Sequence, residues 1–173
     1  PFLNPEQYGR SILENSSFLV SSAHEDKSLH GQGFVARLSG STAEFLHIWL
    51  YMNAGRNPFV LNGQSELVLR FSPILAGWLF TQKTSVIDFR DLSGNLKKIE
   101  LPAGTYAFHF LSSILVVYHN PRRRDTYKTN IRKIHLMYPD SSKTVILSSQ
   151  VIPPAYARDV RDKKVERIDV HFA

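Results

Sequence analysis

Two hydrophobic rhythms divide this chain. From Thr42 to Ala54 the apolar residues Ala43, Phe45, Leu46, Ile48, Trp49, Leu50, Tyr51 and Met52 recur so densely that they cover nearly every face of a helix. A helix apolar all round needs burial on more than one side, so a core helix is expected here. Ser41, just ahead of it, and Glu44, in its first turn, stand at the spacing of a capping box, in which each side chain reaches the other's backbone N–H. Gly55 follows where a left-handed residue costs little, and Pro58 comes soon after, so the predicted helix stops there.

Beyond Asn62-Gly63 the rhythm changes to alternation. Leu67, Leu69 and Phe71 share a face of one predicted strand, Ile87 and Phe89 of a second, and Tyr106, Phe108 and Phe110 of a third. Leu92-Ser-Gly-Asn95 supplies a turn before a strand over Lys97–Leu101. Ile114 to Tyr118 is continuous and rich in β-branched residues, as in an interior strand. Further strands are predicted over Ile131–Tyr138, Lys143–Leu147 and Val165–Phe172, with one helical turn over Ala155–Arg161. About seven or eight short strands separated by turns predict a mainly β fold, an antiparallel β-sandwich or jelly roll. The expected division is residues 1–60, a loop plus buried helix, and residues 61–173, a β-sandwich domain.

Composition narrows the function classes. At 173 residues, with 43% hydrophobic and 21% charged positions, the chain is globular in character and long enough for one well-buried core plus an appendage. It contains no cysteine, which removes disulfides, thiolate chemistry and Cys-ligated zinc and points towards a reducing compartment or a lineage that avoids Cys; a cytoplasmic location is expected. No run approaches the roughly 18 apolar residues of a membrane span. The net charge of +6 suggests an anionic partner, but only Arg122-Arg123-Arg124 forms a cluster; elsewhere the signs alternate, as on a solvated surface. Neither a nucleic acid nor a membrane is therefore an expected partner.

The candidate chemistry lies before the helix. Ser28 to Phe45 is a glycine-punctuated polar loop running into the apolar segment, and such a junction aims unpaired N–H groups at an anion. The other candidates are weaker. His24 and His30, with Glu25 and Asp26 between them, are metal-ligand types at no standard spacing. His109 and His119 fall in or beside strands, where a hydrogen-bonded sheet histidine is the ordinary reading. Asn15-Ser16-Ser17 fits the glycosylation pattern. Trp78, Tyr106 and Tyr118 are either a sugar-stacking face or core aromatics.

In His30-Gly31-Gln32-Gly33-Phe34, leading to Ser39-Gly40-Ser41 and then the helix, the chain resembles the C-terminal end of the cellobiose and chitobiose phosphorylase family. In that family a His-x-Gly-x-Gly stretch leads to Thr-Gly-Ser and a helix that closes the catalytic helical barrel. Leu69-Arg-Phe-Ser-Pro-Ile-Leu-Ala-Gly-Trp78 is similar to the opening of the family's C-terminal β-sandwich. The resemblance is collinear over roughly the first half of the chain.

What the resemblance implies is a helical remnant of an (α/α) barrel followed by a β-sandwich, from an inverting enzyme that cleaves β-glucosidic linkages with inorganic phosphate as co-substrate. Ser39 and Gly40 fall on the family's phosphate-binding Thr-Gly pair, with Ser41 beside them and His30 and Gly33 on the substrate side. Arg37 is either a further phosphate contact or a structural ion-pair partner. No catalytic residue, metal or cofactor is assigned: phosphate replaces the activated water, so one carboxylic acid suffices, and it falls upstream of Pro1. The implied partners are a β-glucoside oligosaccharide and the remainder of the barrel, with a homodimer allowed. Phe34, Val35, Ala36 and Leu38 replace the family's usual aromatics, and Glu44 on the same helix would repel phosphate unless it points away or is paired. The competing reading is a non-catalytic β-sandwich module that binds glycan or stabilises a neighbouring domain.

Overall fold

The computed structural model describes residues 18–31, 33–34, 39–139 and 143–173. The chain divides into two compact units, Pro1–His47 and Ile48–Ala173. In the first, strands β1 (Phe18–Leu19) and β2 (Gly33–Phe34) pair antiparallel. Between them a single helical turn over Lys27–Leu29 is capped by Asp26, whose carboxylate accepts the Ser28 N–H at 2.9 Å. Helix α1 covers Ser39–Asn53. It begins three residues before the predicted Thr42, which puts Ser41 inside the first turn and not at a cap.

The core-helix expectation is corrected by the solvent exposure of α1. Phe45 is 72% exposed, Leu46 64% and Ile48 56%. Among the described residues before Asn62 it is the one α-helix. Among the residues of α1 whose burial is described, enclosure begins towards the C-terminal end, where Asn53 and the following Ala54 are fully enclosed and Trp49 meets Phe108 edge to face at 5.6 Å. The Tyr118 hydroxyl donates to the Asn53 carbonyl, satisfying one of the acceptors that a helix end leaves open. Gly55 ends the helix as predicted, at φ +95°, with Ser72 packed where a side chain would begin.

The second unit is mainly β, with ten strands in three sheets and one further helix among its described residues. Strands β3 (Phe59–Leu61) and β4 (Leu67–Arg70) form a hairpin, β5 (Ser85–Arg90) and β6 (Leu96–Leu101) another. They are followed by β7 (Thr105–Phe110), β8 (Ile114–His119), β9 (Ile131–Met137), β10 (Thr144–Leu147), β11 (Val151–Ile152), helix α2 (Pro154–Arg161) and β12 (Arg167–Phe172). The main sheet has the order β10-β9-β12-β8-β7, and a three-stranded sheet the order β11-β4-β3.

The purely antiparallel expectation fails at one seam. Strand β12 slots between β8 and β9, antiparallel to β9 and parallel to β8. Period-two alternation explains why the main sheet can be covered on both faces. One face, with Ile114, Val116, Tyr118, Ile134, Leu136, Ile168 and Val170, packs against the three-stranded sheet and α2. Phe110 ties these layers together by stacking on Phe59 and meeting Phe71 edge to face. On the opposite face, Leu115 and Val117 pack under the β5–β6 hairpin through Phe89 and Leu101. That apolar cover does not extend along the whole face. The residues continuing the same rows are titratable.

Candidate functional site

The residues singled out in the sequence are distributed as follows. Ser39, Gly40 and Ser41 form the first turn of α1. Gly33 is paired with Leu19 across β1 and β2. His30 donates from Nε2 to the His24 carbonyl at 2.7 Å, and the His24 Nδ1 accepts the Asp26 N–H at 3.1 Å, so both rings serve the local turn. Arg37 lies outside the described residues, as does Asn15-Ser16-Ser17. Of the aromatic candidates, Tyr118 is fully buried and belongs to the core, Tyr106 packs at its edge, and Trp78 is 76% exposed. In the arginine cluster, Arg123 donates from Nε to the Phe80 carbonyl at 3.1 Å, which commits it to holding a loop.

A second grouping was not anticipated. Register places His119 of β8 beside His171 of β12, and His171 beside Lys133 of β9. One row further along the same face, Asp169 lies beside His135. These positions alternate with core residues on each strand, so the period that buries Val170 and Ile134 turns His171 and His135 to the other side. The His119 and His171 rings stack at 4.4 Å with 13° between planes, and His135 approaches His171 at 4.7 Å.

Electrostatics follow from this crowding. Asp169 is gripped by the Arg167 guanidinium through two hydrogen bonds of 2.8 and 3.1 Å. His119 Nε2 stands 3.5 Å from Asp169 Oδ1, an ion-pair distance without hydrogen-bond alignment. Burial works to raise the Asp169 carboxyl, but His119 and Arg167 together hold it below its usual range. Burial, then the like charges of His119, His135 and Lys133, pushes the His171 imidazole down to about 4, against a weaker pull from Asp169. His135 is lowered too, by burial first and then by Lys133. His135 and His171 are therefore neutral at pH 7, each with one ring nitrogen that donates and one that accepts a hydrogen bond.

The Nε2 atoms of His119, His135 and His171 are all shielded from solvent and hydrogen-bond to nothing. An unmet buried nitrogen costs about 1–3 kcal/mol, so three on one sheet face demand a reason. Among the described residues no group of three or more such side chains stands where it can hold a metal ion. Sequence reasoning treated His119 as an ordinary sheet histidine and passed over His135 and His171. The available signal was the alternation in Arg167-Ile-Asp-Val-His-Phe172, where every second residue is titratable on a strand whose other residues are apolar.

No family model matches the chain, and no curated protein matches it. Among the described residues no helix is long and apolar enough to cross a membrane.

Proposed function

We propose that this chain is the C-terminal part of an inverting glycoside phosphorylase-like enzyme, one that cleaves a β-glucosidic linkage with inorganic phosphate to give a sugar 1-phosphate. The observation that carries this reading is α1. Phe45, Leu46 and Ile48 stand more than half in water, and each forgoes part of the roughly 1.5–3 kcal/mol that full burial gives, a cost that the helices of a surrounding barrel would remove. The order of parts supports the same reading: a His-x-Gly-x-Gly segment, Ser39-Gly40 at the start of a 15-residue helix, then a mainly β unit.

In this reaction a phosphate oxygen forms the new bond to the anomeric carbon as the glycosidic C–O bond breaks, and a general acid protonates the departing oxygen. Ser39 and Gly40 would hold the phosphate with a hydroxyl and bare N–H groups at the positive end of the helix. The acid belongs to the remainder of the parent, so this chain by itself is inactive. Replacing Ser39 by Ala in the intact parent should lower kcat/KM for phosphate about a hundredfold. Unchanged kinetics would remove Ser39 from the phosphate site and this reading with it.

One observation favours the alternative of a glycan-binding module. Trp78 projects from a tight turn, Gly77–Leu79, that is held in place from below. Asp125 accepts the Gly77 N–H at 2.9 Å, while the Thr126 hydroxyl accepts the Leu75 N–H at 2.8 Å and donates to the Pro73 carbonyl at 2.7 Å. An exposed indole on an anchored turn is a stacking platform for a sugar ring. A saturable change in tryptophan fluorescence with β-gluco-oligosaccharides, lost in Trp78→Ala, would support that role.

A further inference from the structure

We propose that the cleft at the His119–His171 end of the main sheet is a binding site for a phosphate monoester of a sugar-sized molecule, held by Arg132, Lys133, His119 and His171. It is a site in the β unit, and its argument does not rest on the phosphorylase reading. The cleft has a volume of about 710 Å³, and its lining includes those four residues, Ser148 and Phe172. A free phosphate ion fills only a small part of such a space, whereas a sugar phosphate suits it.

The backbone is adapted to bring the charges there. His171 pairs with Lys133 and Phe172 with Ile131, so the register slips by one residue and Arg132 is left without a partner on β12. That is a β-bulge, the device by which a strand re-aims a side chain, and it lets the consecutive Arg132 and Lys133 line one cleft. In regular alternation consecutive residues would face opposite sides.

The charge balance also favours a dianion. The groups gathered at this end are His119 on β8, His171, Asp169 and Arg167 on β12, and Lys133, His135 and Arg132 on β9. Asp169 is the single carboxylate among them and is already taken by the Arg167 fork. Arg132 and Lys133 therefore have no competing acid within this group. His119 and His171 line the cleft; His171 Nε2 has no hydrogen-bond partner, and His119 Nε2 has only Asp169 Oδ1 near it, at 3.5 Å. Arg132 adds a planar fork suited to a phosphate group and Lys133 a point charge.

The test is a titration of the 173-residue chain with glucose 1-phosphate, and separately with inorganic phosphate, at fixed ionic strength, reading the histidine side-chain resonances by NMR. The expected result is a saturable shift of His119 and His171, with the ester binding more tightly than the free ion. Arg132→Ala and Lys133→Ala should each weaken binding by roughly tenfold. Both residues are exposed, so thermal unfolding should not change. Absence of a saturable shift up to about tenfold above a millimolar Kd overturns the proposal. So do shifts that persist unaltered in both variants, and a preference for the free ion denies the sugar-phosphate assignment. Because the readout is at His119 and His171, phosphate held near Ser39 does not register as success, and the two sites can fail separately.

Discussion

At the scale of single residues, the histidine face makes stability depend on pH with a definite sign. The His171 imidazole titrates near 4 in the folded chain, against 6.5 ordinarily. Between those values the unfolded chain takes up a proton that the folded chain refuses, so acid favours unfolding. The lowered His135 adds to the same window, and the lowered carboxyls of Asp169 and Asp125 act in the next one down. Asp125 lies at about 2, held there first by the Gly77 N–H and then by Lys128 and Tyr127. The urea midpoint should therefore begin to fall as pH drops below 6.5 and fall more steeply below 3.8, with His171→Gln flattening the upper part. A midpoint constant from pH 7 to 5 would contradict the placement of these rings. Gly77 gives an independent check on the adjoining loop. A Cβ there would stand 1.9 Å from the Arg123 carbonyl oxygen, and a backbone atom cannot swing aside as a side-chain tip can. Gly77→Ala should cost about 1–3 kcal/mol or more in urea unfolding, whereas alanine at the open Gly63 should cost much less.

At the scale of elements, the periodicity of the sequence carried the strands well and the helix badly. Alternation, a turn ahead of β6 and the continuous β-branched run of β8 located β4 to β10 and β12 to within a few residues, because each has at least one face in a core. It missed β3 and the two-residue β11, which are too short to show a period, and reduced the eight-residue α2 to one turn. For α1 the apolar run gave the right element with the wrong surroundings: hydrophobicity specifies that a surface needs covering, not that this chain contains the cover. The same limit hid the histidine face, since residue type alone does not reveal which strands become neighbours. The exposure of α1 leads to a contrast between the chain and its proposed parent. Phe45→Glu and Leu46→Glu should leave the stability of this chain within about 0.5 kcal/mol, since both side chains already meet water. In the parent enzyme the same changes should abolish folding of the barrel or its activity. Equal tolerance in both settings would mean that α1 is not covered by a barrel.

At the scale of the whole molecule, the topology places the most demanding contact latest in the sequence. Strand β12 is the middle member of the five-stranded sheet and supplies Ile168, Val170 and Phe172 to the core, while β8 and β9, its two neighbours, do not pair with each other. None of this was legible beforehand: Val165–Phe172 read as one strand among several, and its position depends on a pairing across about fifty residues with β8. The ladders β12 makes on both sides, together with the buried Val165, are what close the sheet. Without them β8 and β9 would present open edges and the core would lose one wall. A chain ending at Lys164 should therefore lose the cooperative urea transition and not merely shift it. Adding the peptide 165–173 in trans tests the cause, because the missing piece is a strand that fits one slot. If the truncated chain is unfolded for want of β12, saturating peptide should restore a transition and the near-ultraviolet signal of the packed aromatics, whereas the same peptide with Ile168 and Val170 changed to Asp should not. A truncated chain that still unfolds cooperatively at the original midpoint would show that β12 is peripheral to the sheet.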